Sequence, residues 1–285
     1  MTIKRLDRLL TIYLFNYLVR LRSPNKQIPI LMYHSISSSD QNHVHPYFKT
    51  NTAPDVFFKQ MSYLKQNDYQ AISIDEALEV MRSAKPPVKK NVVITFDDGY
   101  QDNLTNALPI LKKFNFTATV YLTTHFISEE GLFFNDKRCL NWQEVHELQS
   151  NNIEIGSHTV THPQLTSLTQ KEVENELTYS KAIIEDKLGK SCNSFSYPYA
   201  FPEENRQFVG FLRKILVKSG YHNSVTTIVG TMGRNSDPYI IKRIPVNSDD
   251  DEQFFKAKLE GAYNWIHTPQ LLSKYAKNVL KLSKS

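Results

Sequence analysis

Short apolar runs rich in β-branched residues alternate along this chain with stretches of helical periodicity, and that alternation limits the fold more than any other feature. The runs are Ile30–His34, Ala71–Ile74, Val92–Asp97, Ala118–Thr123, Ile153–Ser157, Ser194–Tyr197, Ser224–Ile228 and Ile240–Ile244. Each reads as a strand. Between them Pro54–Gln66, Ile74–Arg82, Asn103–Phe114, Trp142–Gln149, Gln170–Leu188 and Glu203–Ser219 read as helices. For Gln170–Leu188, Thr169 is the expected N-cap, and Val173, Leu177, Ile183 and Leu188 fall near one face. Strand and helix in regular alternation call for parallel strands with helices outside them. Seven or eight such units in 285 residues predict a closed or nearly closed barrel. In that architecture functional side chains gather at the C-terminal ends of strands.

Several of the predicted strand ends are polar. The run Val92–Phe96 stops in Asp97, Asp98 and Gly99, two adjacent carboxylates and a residue free to turn. Ile153–Ser157 stops in His158-Thr159-Val160-Thr161-His162-Pro163, two histidines with three residues between them. Each segment alone is ordinary: an Asp-Gly turn, or a pair of surface histidines. Together they offer two imidazoles and a carboxylate, a sound ligand set for zinc or another divalent transition ion. The other carboxylate is then free to act as a general base toward water attacking an amide carbonyl.

Other strand ends add to this. His34 closes Ile30–Tyr33, and an amide hydrolase needs an acid for its leaving amine, a task that suits histidine near neutral pH. Phe195-Ser196-Tyr197-Pro198-Tyr199-Ala200 runs a strand into aromatic residues, so Tyr197 and Tyr199 are candidates to line a sugar pocket. Trp142 is a further candidate wall, and equally a core residue.

These segments resemble the polysaccharide deacetylases of the NodB-homology type, carbohydrate esterase family 4, from about Ile30 to about Gly261. The resemblance implies a distorted (β/α)7 barrel. It also implies Asp97 as base, with Asp98, His158 and His162 holding one divalent metal ion, zinc first and cobalt, nickel or iron(II) as alternatives. Many members carry the acid histidine near the C-terminus, and no convincing copy follows Val246 here. The segment Leu31-Met32-Tyr33-His34-Ser35-Ile36 instead resembles the circularly permuted branch, which includes deacetylases of poly-N-acetylglucosamine and implies His34 as general acid. Where many members have an arginine that orients the base, this chain has Ser196, and Ala200 replaces the usual glycine. Arg243, at another strand end, is the candidate to supply the missing charge.

The implied activity is metal-dependent hydrolysis of N-acetyl groups on an acetylated amino sugar, in a polysaccharide or glycan precursor, with release of acetate. A catalytically impaired glycan-binding homologue, or a deacetylase of a non-sugar amide or ester, are the alternatives. Composition fits an enzyme with a sizeable core: 40% of residues are hydrophobic and 22% charged. The net charge of +5 is too mild to argue for nucleic acid. Two cysteines, Cys139 and Cys192, make no disulfide framework.

Residues 1–26 form an N-terminal basic segment ahead of a barrel domain spanning 27–285 with a C-terminal helix. Lys4, Arg5 and Arg8 precede the uncharged run Leu9–Val19, and Arg20 and Arg22 follow it. The run is short of the ~20 residues needed to span a bilayer and lacks a small-residue cleavage site. It predicts an amphipathic helix resting on a membrane or on the protein. The chain is then cytoplasmic or peripheral to the membrane, with export by an atypical signal as the alternative.

Overall fold

The computed structural model describes residues 5–21, 27–38, 41, 44–83 and 89–282, the last six as backbone only. Seven parallel strands close a barrel in chain order: β1 Ile30–Tyr33, β2 Lys90–Phe96, β3 Ala118–Leu122, β4 Ile153–Ser157, β5 Ser194–Ser196, β6 Asn223–Val229 and β7 Ile241–Pro245. Pairing runs from each to the next, and β7 returns to β1 with Ile244 opposite Leu31. The expected (β/α)7 architecture is the one observed. One expected strand is not a stave: the run placed at Ala71–Ile74 is a short strand, Tyr69–Ala71, hung on the outer edge of β2. The reason is local. Ser73 leaves the strand to cap the helix Ile74–Arg82, accepting from the Glu76 N–H while the Glu76 carboxylate accepts from the Ser73 N–H.

Strand β2 shows why these sequences make staves. Every residue from Val92 to Phe96 is buried, as a strand covered on both faces requires. Side chains alternate. Val92, Ile94 and Phe96 join the large cluster shared with the surrounding helices, and Val93 joins a smaller one with Ile30, Tyr121, Val225 and Ile241. Each such side chain, fully buried, contributes about 1.5–3 kcal/mol. Tyr121 fills the tube only because Gly156 stands beside it: a Cβ there would lie 2.4 Å from the tyrosine ring.

The outer helices begin and end where side chains satisfy the backbone. Thr169 and Glu172 form a reciprocal cap at the start of Gln170–Leu188, and Gly189 closes it in the left-handed region. Asn141 and Glu144 do the same for Trp142–Ser150. At the N-terminus, residues 6–20 form one helix with a wider turn at Thr11–Phe15. It packs on the segment that follows β7. Thr11 is fully buried, Phe15 stacks on Trp265 at 4.8 Å, and the Trp265 indole donates to Thr11 Oγ1.

Candidate metal and catalytic site

The C-terminal mouth of the barrel is an open cleft of about 250 Å³, lined among others by His34, Asp97, Asp98, His158, His162, Tyr197 and Tyr199. Six of the seven come directly from the strand ends of β1, β2, β4 and β5 or the residues just after them; His162 lies one loop further on.

Asp97 directly follows the last residue of β2, and it is buried. Arg243 reaches it from β7 across the barrel. The guanidinium donates from Nη1 to Oδ1 at 2.8 Å and from Nη2 to Oδ2 at 2.7 Å, a two-pronged fit. Its remaining donors go to the Thr226 carbonyl, Thr95 Oγ1 and Ser196 Oγ. Ser196 Oγ in turn donates to Asp97 Oδ1 at 3.1 Å. A small residue at position 196 thus leaves room for an arginine from another strand. Burial by itself would raise the Asp97 carboxyl. Arg243, with His158 and His34 adding to it, outweighs burial and holds the group far below the usual carboxylate range.

Oδ1 of Asp97 takes two of the three donated bonds and Oδ2 one, so Oδ2 keeps accepting capacity. His34 Nε2 lies 4.0 Å from Oδ2. The end of β1 is fixed by the turn after Gly99. Asn103 Nδ2 donates to the His34 carbonyl, and the Asp102 carboxylate accepts from Ser35 Oγ and the Ile36 N–H.

Asp98 leaves the strand in the left-handed region, at φ 75°, and Gly99 follows at φ 70°. That reversal separates two adjacent carboxylates into different surroundings. Asp98 Oδ1 lies 3.6 Å from His158 Nε2 and 3.5 Å from His162 Nε2. These gaps are long for good hydrogen bonds. They suit ligand atoms that share one small divalent cation, each at roughly 2.0–2.2 Å from it. The tautomers agree. His158 Nδ1 sits 2.7 Å from the Ser196 carbonyl, so the proton belongs on Nδ1 and Nε2 presents a lone pair to Asp98. Burial, then the neighbouring His158, push His162 down to about 4, so near neutral pH its ring is uncharged as a ligand must be. The residues present therefore fit a divalent ion held by Asp98, His158 and His162.

The loop that carries both histidines is itself strained and tied. Thr159 and His162 adopt φ 71° and 57°. A β-branched residue in that region is an outlier. Thr159 Oγ1 accepts from the His162 N–H, and Glu176 on the helix Gln170–Leu188 accepts from the N–H groups of Val160 and Thr161. Glu176, Asp102 and Asn103 are site residues that sequence reasoning missed. Only the position of Asp102 and Asn103, directly after Asp97-Asp98-Gly99-Tyr100-Gln101, could have pointed to them.

Tyr199 lies 54% exposed on the cleft wall, its ring 4.6 Å from that of His162. Tyr197 lines the same cleft but is almost wholly buried, edge-on to Phe201. Trp142 is not part of this wall. It is buried at the first position of its helix, in the core cluster with Val145 and Leu148, which repeat at helical spacing. Another part of the rim is a hairpin, Phe133–Phe134 paired with Lys137–Arg138, turning through Asn135 and Asp136 at positive φ, with the Phe134 ring 5.0 Å from that of His162. From it Lys137 reaches across to Ser35, Ser37 and Asn51. His267 bonds Glu203 and stands outside the cleft.

Comparison with known proteins agrees with this geometry. A family model for polysaccharide deacetylases matches residues 84–221. YxkH of Bacillus subtilis strain 168, named as a polysaccharide deacetylase, is 31% identical over 242 residues, 85% of this chain and 79% of that one. A Staphylococcus aureus protein named poly-beta-1,6-N-acetyl-D-glucosamine N-deacetylase is 26% identical over 209 residues, 70% of this chain and 69% of that one. In fold, the chain is similar to the Streptococcus pyogenes deacetylase PplD solved with acetate. There the TM-score is 0.70 at 24% identity, over 82% of this chain and 99% of that one. With the barrel, the paired aspartates and the histidine loop in place, and a relative 31% identical along most of its length, this chain belongs to the polysaccharide deacetylase family.

Proposed function

We propose that this protein is a divalent-metal-dependent hydrolase that removes N-acetyl groups from an acetylated amino sugar in a polysaccharide or glycan precursor, releasing acetate. One observation carries the reading: ligand atoms of Asp98, His158 and His162 lie within 4.8 Å of one another, beside a second carboxylate and a histidine 4.0 Å apart. When bound, a divalent cation at Asp98, His158 and His162 supplies Lewis acidity, making water more acidic and a carbonyl more electrophilic.

The chain's own groups do the rest. Asp97 stays ionised and is oriented by Arg243, and it takes a proton from the attacking water through Oδ2. His34 gives a proton to the departing amine. The Tyr199 backbone N–H is the candidate donor to the oxyanion as the carbonyl carbon becomes tetrahedral. The exposed Tyr199 ring is a stacking surface for a sugar. A polymeric N-acetylglucosamine substrate agrees with what the Staphylococcus aureus relative is named for. The alternative of an impaired, purely glycan-binding homologue rests on two departures, the missing arginine and Ala200 in place of glycine, and the Arg243 partner of Asp97 speaks against the first.

The test is acetate release from N-acetylglucosamine oligomers, before and after chelation and with zinc restored. Chelation is expected to stop turnover and zinc to restore it. Asp97→Asn is expected to abolish turnover with metal still bound, whereas His158→Ala is expected to lose metal by more than the ~10–100-fold seen for outer partners of metal sites. Undiminished acetate release by Asp97→Asn would refute the assigned roles.

A further inference from the structure

The helix of residues 6–20 has two faces that differ in kind. One is locked to the body of the protein. Arg5 bonds Asp7 and lies 3.5 Å from the buried Asp250, Arg8 pairs with Asp251, and Tyr263 donates to Asp7. Ile12 joins the core cluster of Val229, Phe254 and Tyr263. The other face is apolar and faces solvent. Leu6, Tyr13, Tyr17 and Leu21 are 62–70% exposed, and Leu9 and Leu14 are 43% and 46% exposed beside them. Single exposed apolar residues are ordinary, but a line of them along one packed helix marks an interaction surface. No described helix is long and apolar enough to cross a membrane.

Charge selects the occupant. Of the 34 basic and 29 acidic residues, residues 1–26 hold six and one, leaving 28 of each in the remainder. All the net positive charge of the chain therefore belongs to this segment. Arg5 and Arg8 are engaged by the body. Arg20, 57% exposed at the end of the helix, lies 3.6 Å from Glu260 in a loose pair that leaves it open to solvent, and Lys4, Arg22 and Lys26 bracket the helix in the chain. A second copy would bring this segment against itself across a two-fold axis, setting like charges together. An anionic lipid surface offers opposite charge to the basic ends and an acyl boundary to the leucines, with tyrosines at the headgroup level. We propose that the outer face of residues 6–21 is a membrane-docking surface, on which the barrel is held flat against an anionic bilayer by a helix that is also part of its packed structure.

The experiment is co-sedimentation of the full chain with vesicles of phosphatidylglycerol and phosphatidylcholine, and with phosphatidylcholine alone. Binding is expected to the mixed vesicles, weakened by salt, and far less to the neutral ones. Tyr13→Glu combined with Tyr17→Glu is expected to lower binding to the mixed vesicles roughly tenfold or more, with an unchanged melting temperature, because both side chains face solvent. The milder Leu6→Ser with Leu21→Ser should move binding in the same direction. Wild-type protein that stays in the supernatant with mixed vesicles at low salt would overturn the proposal. So would variants that bind as well as wild type. A concentration-dependent dimer in sedimentation equilibrium, abolished by the same tyrosine variant, would assign the face to self-association instead.

Discussion

Asp97 and Asp98 are neighbours in sequence, yet the halves of the cleft they serve are finished to different degrees. Around Asp97 the partners are almost all in place: both oxygens are engaged, with accepting capacity left only at Oδ2, Arg243 uses Nε and both terminal nitrogens, and Ser196 joins the two. Around Asp98 it does not. Two imidazole nitrogens face a carboxylate oxygen at 3.5–3.6 Å, too far for good hydrogen bonds, and His162 Nδ1, turned away from Asp98, is buried with no hydrogen-bond partner among the described residues. The first half is a finished electrostatic structure. The second is under-satisfied, as a site that gains its last partner from outside must be. Folding and ligand binding therefore draw on different sides of one pocket.

Breaking the finished half should give the largest change. Arg243→Ala leaves the Asp97 charge buried without its partner, and losing one member of such a pair costs about 3–5 kcal/mol. Urea denaturation of the metal-free protein should register that loss. The double variant Asp97→Asn with Arg243→Met should recover part of it, because no charge is then left unpaired. With the guanidinium gone, burial dominates at Asp97, so the acid limb of the rate profile should move to higher pH in any Arg243→Ala protein that still turns over. A double variant no more stable than Arg243→Ala would mean that the pair is not the source of the effect.

Acid should separate the halves in the opposite order. His162 is held down to about 4, below the ordinary value near 6.5, so the fold favours its neutral form. That contribution is fully present above about pH 6.5 and is lost as the pH falls toward 4, an effect of about 3 kcal/mol. Asp97 is shifted so far down that its contribution persists through the same window and goes only in stronger acid. Chelated protein should lose stability between pH 6.5 and 4, and His162→Gln should flatten that slope. An equally steep slope in the variant would place the proton uptake elsewhere.

The same contrast explains what the sequence made legible. The staves were readable because strands buried on both faces are near-continuous apolar runs, and the run at Ala118–Thr123 is a strand over Ala118–Leu122 buried at every position. Positions 34, 97, 98, 158 and 162 were readable because a barrel of this kind exposes its strand ends at one mouth. Arg243 could be named because a charge was missing and a strand end was free. What was hidden depends on the backbone between strands. Nothing in Thr159 or Tyr199 advertises a left-handed φ, which is routine only for glycine and, less often, for asparagine, aspartate and histidine. Trp142 read equally as a pocket wall and as a core residue, and its spacing to Val145 and Leu148 is that of the core face it joins.

That hidden strain gives the smallest test, and it bears on the under-satisfied half. Thr159 does two things at once. Its backbone occupies the left-handed region at φ 71°, and its hydroxyl accepts from the His162 N–H at 3.0 Å, fixing the turn that aims the second imidazole. Thr159→Ala removes the hydroxyl and keeps most of the strain. Thr159→Gly removes both. Strain at a single residue of this kind costs of order 1–3 kcal/mol, so the glycine variant should be about 1 kcal/mol more stable than the alanine variant in metal-free denaturation. Metal affinity should not follow stability: both variants lose the bond to the His162 N–H, and glycine also loosens the loop, so its zinc affinity should be the lower of the two. If alanine and glycine proved equally stable, the turn would carry no strain, and the poor satisfaction of this half would reside in the histidine and carboxylate side chains alone.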